Sequence, residues 1–217
     1  MTKLIMVRHG ETEWNLAGKM QGYLDSPLTE TGLAQAKAAA KRLRFEQLDA
    51  IYSSDLGRAR KTAKCIAKAR EQVVQTHEGL REKSLGVLQG LTRSEMEQRH
   101  PESFQAWKQS DYYWTPPEGE SQASFTERCM ITLEDLHRRH TNQTLALVTH
   151  GGFIAAVFRK ILNLDWKDSR RRFSVLNASL NTFVYKDDNW QLETWGDISH
   201  LGYLNTLDDE SIGGIQK

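Results

Sequence analysis

The chain has 217 residues, of which 26% are charged, and its formal net charge is +1 at pH 7. This length fits one domain with a sizeable core, and the near-neutral charge argues against nucleic acid as the main partner, because that requires a concentrated basic surface. No apolar run approaches membrane-spanning length, and two cysteines, Cys65 and Cys129, without a secretory signal favour a reducing, cytoplasmic compartment.

The first half of the chain alternates short apolar runs with apolar residues at helical spacing. Three strands are predicted, at residues 3–8, Ala50-Ile51-Tyr52 and Val73-Val74. Two helices are predicted between them, one over Leu33–Leu43 with Thr29 as its cap, and one over Leu56–Ile66 capped from Ser53-Ser54-Asp55.

From about residue 91 to 119 the pattern becomes polar and aromatic, which predicts short helices and a loop inserted over the edge of the sheet. Its aromatic residues, among them Trp107 and Trp114, either line a pocket or pack beneath the insertion, and both alternatives stay open here. Next, Ser124-x-x-Glu127 resembles a capping box. The remaining predicted elements are a helix over Phe125–Leu136, a strand over residues 144–148, a helix over residues 153–162, and a hairpin of strands 180–186 and 189–195.

This alternation predicts an α/β fold, a three-layer sandwich whose mostly parallel sheet carries helices on both faces. The hairpin places an antiparallel strand at an edge, and residues 91–119 form a small inserted cap. We therefore expect a single domain over residues 1–217, with a Gly- and Asp-rich tail from about residue 205 whose composition is compatible with mobility.

Four polar features follow predicted strands. Arg8-His9 follows the first strand, Arg58 lies at the start of the helix after the second, Glu82 lies in the loop after the third, and His150 follows the fourth. Because the carboxyl ends of parallel strands meet at one edge, where open α/β sheets bind ligands, these side chains are expected to converge.

Such a set forms a cationic pocket with one acid, and its natural ligand is a phosphate group. The rigid guanidinium fork matches phosphate oxygens. Asn15 can add an amide hydrogen bond, and the strand-to-helix junctions at Ser54-Asp55 and Gly151-Gly152 can add backbone N–H groups. Because arginines stabilise the charge on a transferring phosphoryl group, no metal or cofactor is required.

A neutral histidine can attack phosphorus as a covalent nucleophile. Repulsion from Arg8, Arg58 and His150 is expected to keep His9 neutral, and a backbone carbonyl that accepts one ring N–H would fix its tautomer. The leaving alkoxide needs a proton, a role for which the pattern favours Glu82, with Glu78 as its competitor.

Two other interpretations remain open at this point. His9 and His150 can serve as zinc ligands, although a third ligand is not evident and the neighbouring arginines repel a cation. The pocket can also be the vestige of an active site in a binding or scaffold protein, an interpretation against which the intact set of His9, Arg58, Glu82 and His150 speaks.

Taken together, these residues resemble the histidine phosphatase superfamily, the phosphoglycerate-mutase-like proteins. The resemblance rests on motifs that occur in the family's order. They are Val7-Arg8-His9-Gly10-Glu11-Thr12 with Trp14-Asn15, Gln21-Gly22, Pro27-Leu28-Thr29, Ser53-Ser54-Asp55-Leu56-Gly57-Arg58-Ala59, Leu80-Arg81-Glu82, Pro117-Glu118-Gly119-Glu120-Ser121 and Val148-Thr149-His150-Gly151-Gly152.

The resemblance implies an activity as well as a set of site residues. The implied activity is metal-independent hydrolysis of a small phosphorylated metabolite, with no nucleic-acid or membrane partner and with a homodimer left open. His9 is implied as the phosphorylated nucleophile and Glu82, rather than Glu78, as the proton donor. The other implied residues are Arg8, Arg58 and His150 in the phosphate pocket, with Asn15, Gln21, Gly22 and Gly151 as binding residues.

The sequence also departs from the family pattern. Leu88-Gln89-Gly90 stands where the family often carries an aromatic–acidic–glycine run, and Lys83 stands where its mutases usually have arginine. The basic insertion with which mutases hold the substrate carboxylate is not recognisable in residues 91–119. The missing insertion speaks against the alternative, a cofactor-dependent phosphoglycerate mutase. The runs Pro117-Glu118-Gly119-Glu120-Ser121 and Gly196-Asp197-Ile198-Ser199-His200-Leu201 resemble the small bacterial phosphatases, and the identity of the substrate is not readable from the sequence.

Overall fold

The structure, a computed structural model, describes residues 1–109, 111–169 and 172–204. The strands are β1 (Thr2–Arg8), β2 (Ala50–Ser53), β3 (Val74–Thr76), β4 (Thr144–Thr149), β5 (Leu180–Lys186) and β6 (Asn189–Asp197). The helices are α1 (Glu13–Leu16), α2 (Glu30–Leu43), α3 (Gly57–Lys68), α4 (Arg93–Arg99), α5 (Pro101–Gln109), α6 (Gln122–Arg139), α7 (Gly151–Ile161) and α8 (Trp166–Ser169). Short 3₁₀ turns cover Glu78–Leu80, Gly86–Leu88 and Ser199–Leu201.

The six strands form one sheet in the order β3-β2-β4-β1-β5-β6. The pairs β2–β3, β2–β4 and β1–β4 are parallel, whereas β5 runs antiparallel to both β1 and β6. The predicted mostly parallel sheet is therefore confirmed. The hairpin is also confirmed, and its two turn residues, Asp187 and Asp188, have φ angles of 52° and 58°. Two successive positive φ angles are typical of the tight turn that matches the twist of a hairpin.

Successive side chains of the central strands point to opposite faces, and each face is covered by helices. On one face Ile5 and Val7 pack with α2 and α3, where short alanine side chains bring the helices close to the sheet. On the other face Leu4 and Met6 pack with α6 and α7, which contribute Phe125 and Phe153 among others. This confirms the predicted sandwich with helices on both faces.

The segment predicted as an inserted cap contains α4 and α5 followed by a loop. Its buried side chains, Met96 and Phe104, pack against Leu85 and Leu88, with Trp107 and Trp114 at the margin. The predicted mobile tail from about residue 205, like the end of the predicted single domain, lies outside the described residues. None of the described helices has both the length and the apolar character needed to cross a membrane.

Two predicted helix caps are wrong. Helix α6 begins after Ser121, whose hydroxyl accepts the Ser124 N–H at 3.0 Å, so Ser124 lies inside the helix instead of starting a capping box. The N-cap of α3 is Leu56, and the cap predicted from Ser53-Ser54-Asp55 is replaced by a carboxylate from a distant loop. Helices α1 and α8 were not predicted, because four residues are too few to show a helical period.

Candidate active site

The carboxyl ends of the parallel strands β1 and β4 lie where the outgoing connections of the sheet diverge. These strands are neighbours, yet the chain leaves β1 toward α2 on one face and leaves β4 toward α7 on the other. The diverging connections open a crevice between the strand ends, which is where open α/β sheets bind ligands.

A cavity of about 230 Å³ occupies this crevice. Five of the predicted site residues line it, namely His9, Gln21, Gly22, Arg58 and Glu82. The others lie in the buried layer around it, with Arg8 and His150 at 0% exposure and Asn15 at 2%. Gly151 is also buried, as the first residue of α7.

His9 is held in one tautomer by the backbone. Its Nδ1 lies 2.8 Å from the carbonyl oxygen of Gly10, and a carbonyl can only accept, so Nδ1 carries the proton and Nε2 keeps its lone pair. Burial, followed by the positive charges of Arg58 and Arg8, lowers the pKa of His9 well below its ordinary value of 6.5. The ring is therefore neutral and nucleophilic at Nε2 at physiological pH.

The backbone of His9 is held by hydrogen bonds at both its N–H and its carbonyl. Its N–H donates to the Thr149 carbonyl at 3.0 Å, and its carbonyl accepts from the Asn177 side chain at 3.0 Å. These bonds join the ends of β1 and β4 to the segment that precedes β5. The nucleophilic ring thus stands on an anchored strand end.

His150 lies against His9, with ring centroids 5.3 Å apart and nearly edge-to-face geometry. Its two ring nitrogens are buried, and neither has a hydrogen-bond partner among the described residues. Burial and then the positive charge of Arg58 lower the pKa of His150 well below 6.5, and Arg8 acts in the same direction. An unpartnered buried imidazole costs free energy unless a ligand completes its bonds, so His150 is arranged to donate to an incoming oxygen.

Arg58 is 2% exposed and reaches the cavity from the first turn of α3. Its guanidinium donates to the carbonyls of Leu24 and Gly22 at 2.8 Å each and to Asp25 Oδ1 at 3.0 Å. Asp25 Oδ1 also accepts the Arg58 backbone N–H at 3.2 Å, so this carboxylate both caps α3 and orients the guanidinium.

Arg8 is the second buried arginine and is the last residue of β1, directly before His9. Its guanidinium donates to the carbonyl of Val175, and its backbone N–H donates to the carbonyl of Ser179 at 3.3 Å. Two buried cations therefore flank His9, and their combined charge makes the crevice attractive to an anion.

Glu82 meets the start of α7. Its carboxylate accepts the backbone N–H of Lys83 at 2.8 Å and that of Gly152 at 2.9 Å. A Cβ at Gly152 would lie 2.2 Å from Glu82 Oε1, so glycine is needed there for the carboxylate to approach. Glu78, the competing acid, pairs with Arg81 at 3.5 Å, and its side chain is 78% exposed.

The remaining predicted residues have different surroundings. The Asn15 amide oxygen accepts the backbone N–H and hydroxyl of Thr12 at 3.0 Å each, which ties it into the turn before α1. Gln21 Oε1 is buried and has no partner among the described residues, and its side chain lines the cavity. Gly22 adopts a φ of 53°, which presents its carbonyl to Arg58.

Several cavity residues were not predicted from the sequence. Lys19, Lys83, Arg159 and Asp111 add charges to the lining. Trp107 and Trp114, whose role the sequence left open, both line the cavity and pack in the apolar cluster of the cap. Met20 and Leu85 also line the cavity and belong to the same cluster. Trp107, Asp111 and Trp114 share the polar stretch of residues 91–119, which was the available signal for these three. No local signal marks Asp25 as a partner of Arg58.

The arrangement suits the transfer of a phosphoryl group. It combines a neutral histidine with an available ring nitrogen, two buried arginines, an unpartnered imidazole and a carboxylate. Among the described residues no three His, Cys, Asp or Glu side chains are grouped as a metal site.

Comparison with known proteins identifies relatives of this chain. The family model described as "Histidine phosphatase superfamily (branch 1)" matches residues 4–198. A metal-independent phosphoserine phosphatase from Arabidopsis thaliana is 38% identical over 212 residues, which cover 95% of this chain and 86% of that protein. The phosphoglycerate mutase-like protein 4 of the same plant is 37% identical over 211 residues, covering 94% of this chain and 90% of that protein.

A solved structure shares both fold and sequence with this chain. It is a histidine-to-alanine mutant of phosphoserine phosphatase from Entamoeba histolytica in complex with phosphoserine. The two are 33% identical with a TM-score of 0.82, and the match covers 93% of this chain and 100% of the other. The resemblance found in the sequence motifs is thereby confirmed.

Proposed function

The chain belongs to the histidine phosphatase superfamily, and on this premise we propose that it hydrolyses a small phosphomonoester through a phosphohistidine on His9. The observation that carries the proposal is the bond from His9 Nδ1 to Gly10, which leaves Nε2 as the nucleophile in a residue that lines the cavity. Because the low pKa of His9 keeps the ring neutral, the nucleophile is available without prior deprotonation.

In the first step His9 Nε2 attacks phosphorus and the ester P–O bond breaks. The protonated carboxyl of Glu82 gives its proton to the leaving oxygen, so an alcohol departs instead of an alkoxide. Arg8, Arg58 and His150 bind the three other phosphoryl oxygens, whose charge they stabilise in the transition state.

In the second step water attacks the phosphorus of the phosphohistidine and the N–P bond breaks. The Glu82 carboxylate takes the proton from this water, which returns the acid to its protonated form, and inorganic phosphate leaves. The cycle uses protein groups alone, in keeping with the relative described as metal-independent.

We propose phosphoserine, or an ester of similar size and charge, as the substrate. Support comes from the Arabidopsis relative and from the Entamoeba complex. Beyond the phosphate pocket the cavity carries both signs of charge, with Lys19 and Lys83 for a carboxylate and Asp111 for an ammonium group. A panel of phosphomonoesters with phosphate release as the readout tests this proposal, and a lack of turnover on every ester would contradict it.

Trapping of the phosphoenzyme tests the nucleophile. After acid-free quenching of a reaction with radiolabelled substrate, the wild type is expected to carry a label that is stable in alkali and lost in acid, as a phosphoramidate is. His9→Ala should carry none, whereas His100→Ala, a matched histidine outside the cavity lining, should label normally. An acid-stable label, or label retained in His9→Ala, would reject His9.

A phosphoglycerate mutase is the second candidate, favoured by the name of the mutase-like relative. A mutase returns the phosphoryl group to its substrate, so it must keep water from the phosphohistidine. Incubation with 3-phosphoglycerate and catalytic bisphosphoglycerate distinguishes the two activities. Isomerisation faster than phosphate release would make the chain a mutase, and release without isomerisation is expected for a phosphatase.

A further inference from the structure

We propose that Arg128, held by Glu120, is a positioning residue for the acid Glu82. Arg128 lies on α6 and is not part of the cavity lining, so it acts through the loop that carries Glu82. This inference rests on the proton-donor role proposed for Glu82.

The guanidinium of Arg128 clamps the backbone of this loop. One terminal nitrogen donates to the carbonyl of Gly79 at 2.8 Å and to that of Arg81 at 3.1 Å. The other terminal nitrogen donates to the carbonyl of Glu82 itself at 3.1 Å. Three carbonyls within four consecutive residues therefore converge on a single cation.

Glu120 completes the clamp from the other side. Its carboxylate accepts from the second terminal nitrogen of Arg128 at 2.6 Å and from Nε at 3.3 Å. Together with the three carbonyl bonds, this occupies all five donors that a guanidinium has. Glu120 Oε1 also accepts the backbone N–H of Ser84 at 2.8 Å, and the Glu120 N–H donates to the Ser84 carbonyl at 3.1 Å.

The clamp therefore fixes the backbone on both sides of Glu82, while Lys83 and Gly152 fix its carboxylate. A lysine cannot reproduce this arrangement, since it has three donors at one point and no planar fork. The geometry points to a role in aiming the proton at the leaving oxygen, because a catalytic group displaced by about 1 Å loses on the order of 100-fold in rate.

The test uses the dependence of the rate on the leaving group. An alkyl ester such as phosphoserine needs the proton of Glu82, whereas p-nitrophenyl phosphate releases a weakly basic phenolate that needs it far less. Arg128→Lys is expected to lower kcat for phosphoserine about 100-fold with KM little changed, and to leave kcat for p-nitrophenyl phosphate close to the wild-type value. Glu120→Gln, which keeps the side-chain volume, should show the same selectivity with a smaller loss.

The control is Arg139→Lys. Arg139 lies on the same helix and also forms an arginine–carboxylate pair, with Asp135 at 2.8 Å, but it does not touch the loop of Glu82. Both esters should be hydrolysed by Arg139→Lys at wild-type rates. Thermal unfolding of each variant distinguishes a loss of stability from a displacement of Glu82 in a folded protein.

A double variant gives the decisive outcome. In a Glu82→Gln background, Arg128→Lys should cost no further activity on phosphoserine, because no proton remains to be aimed. The inference would be overturned if Arg128→Lys lowered kcat equally for both esters, or if it lowered kcat in the Glu82→Gln background as much as in the wild type. Either result would leave Glu82 as the acid. If Glu82→Gln alone slowed both esters equally, the proposed acid would fail, and the inference with it.

Discussion

Replacement of Gly152 by alanine is a small change with a sharply defined target. The added Cβ would lie 2.2 Å from Glu82 Oε1, 2.9 Å from its Cδ and 3.1 Å from Oε2. Real carbon atoms do not approach a carboxylate this closely, so the Glu82 side chain must move by about 1 Å to restore van der Waals contact. This movement breaks the 2.9 Å bond from the Gly152 N–H.

The effects on stability and on rate are expected to differ. Alanine favours a helix over glycine by about 1 kcal/mol, while loss of the hydrogen bond costs at most about 3 kcal/mol, the upper value for an ionised acceptor. The net loss is about 2 kcal/mol or less, which lowers Tm by no more than about 8 °C in a domain of this size. Displacement of the acid by about 1 Å, in contrast, should lower kcat for an alkyl phosphate about 100-fold.

Steady-state assays with phosphoserine and p-nitrophenyl phosphate measure the loss for each leaving group. Gly57→Ala provides a matched control, because a Cβ at Gly57 would lie 2.1 Å from Asp25 Oδ2 at the start of α3. The displaced Asp25 carboxylate orients Arg58, the proposed phosphate ligand, so Gly57→Ala should slow both esters alike. Gly152→Ala should slow the alkyl ester selectively.

Unchanged turnover of phosphoserine by Gly152→Ala would refute the reasoning, since the position of the carboxylate would then be irrelevant to the rate. A uniform loss on both esters would refute it as well. In that case the substitution would act on phosphate binding or on the fold, and the start of α7 would have no special relation to the acid.

Three further predictions concern pH, phosphate binding and stability. Burial and the charge of Arg58 lower the pKa of His150 below 6.5, so the unfolded chain binds the extra proton first as pH falls. The free energy of unfolding should therefore drop below about pH 6.5, and His150 alone contributes up to ~1.4 kcal/mol per pH unit to this drop. Urea titrations measure this slope, which His150→Gln should reduce, and an unchanged slope would contradict the assignment. Asp25→Asn should raise KM for every ester about fivefold, as expected for loss of a partly exposed ion pair worth ~1 kcal/mol, and a change in kcat alone would argue against an orienting role. Thr149→Val leaves the Leu80 carbonyl, now bonded at 2.7 Å, without its donor and should cost about 1–2 kcal/mol in urea unfolding, so a neutral result would indicate that water replaces the hydroxyl.

The convergence of the polar side chains that follow the strands could be predicted, because it depends only on assigning a few short strands from local sequence. Short apolar runs mark the strands that end at Arg8, Ser53 and Thr149, and a parallel sheet then brings those ends to one edge. Small errors in strand bounds, such as that of β3, leave the edge unchanged. The architecture and the position of the crevice follow from the same pattern.

The contacts that orient the side chains could not be predicted in this way. Asp25 replaces a local cap of α3, and Arg128 reaches a loop 46 residues earlier in the chain. Such bonds depend on how distant segments pack, and any nearby serine or carboxylate offers an equally plausible local partner. For this reason the sequence pattern favours Ser124 as a cap that Ser121 in fact provides.

The neighbours of β1 also constrain how the protein is made. Both of its partners, β4 at Thr144–Thr149 and β5 at Leu180–Lys186, lie far later in the chain. During synthesis the strand that carries Arg8 and ends at His9 must wait unpaired until residues of β4 and β5 have left the ribosome. Pairing at such separation closes long loops, which slows folding, and it makes assembly of the crevice depend on the prior synthesis of β4 and β5.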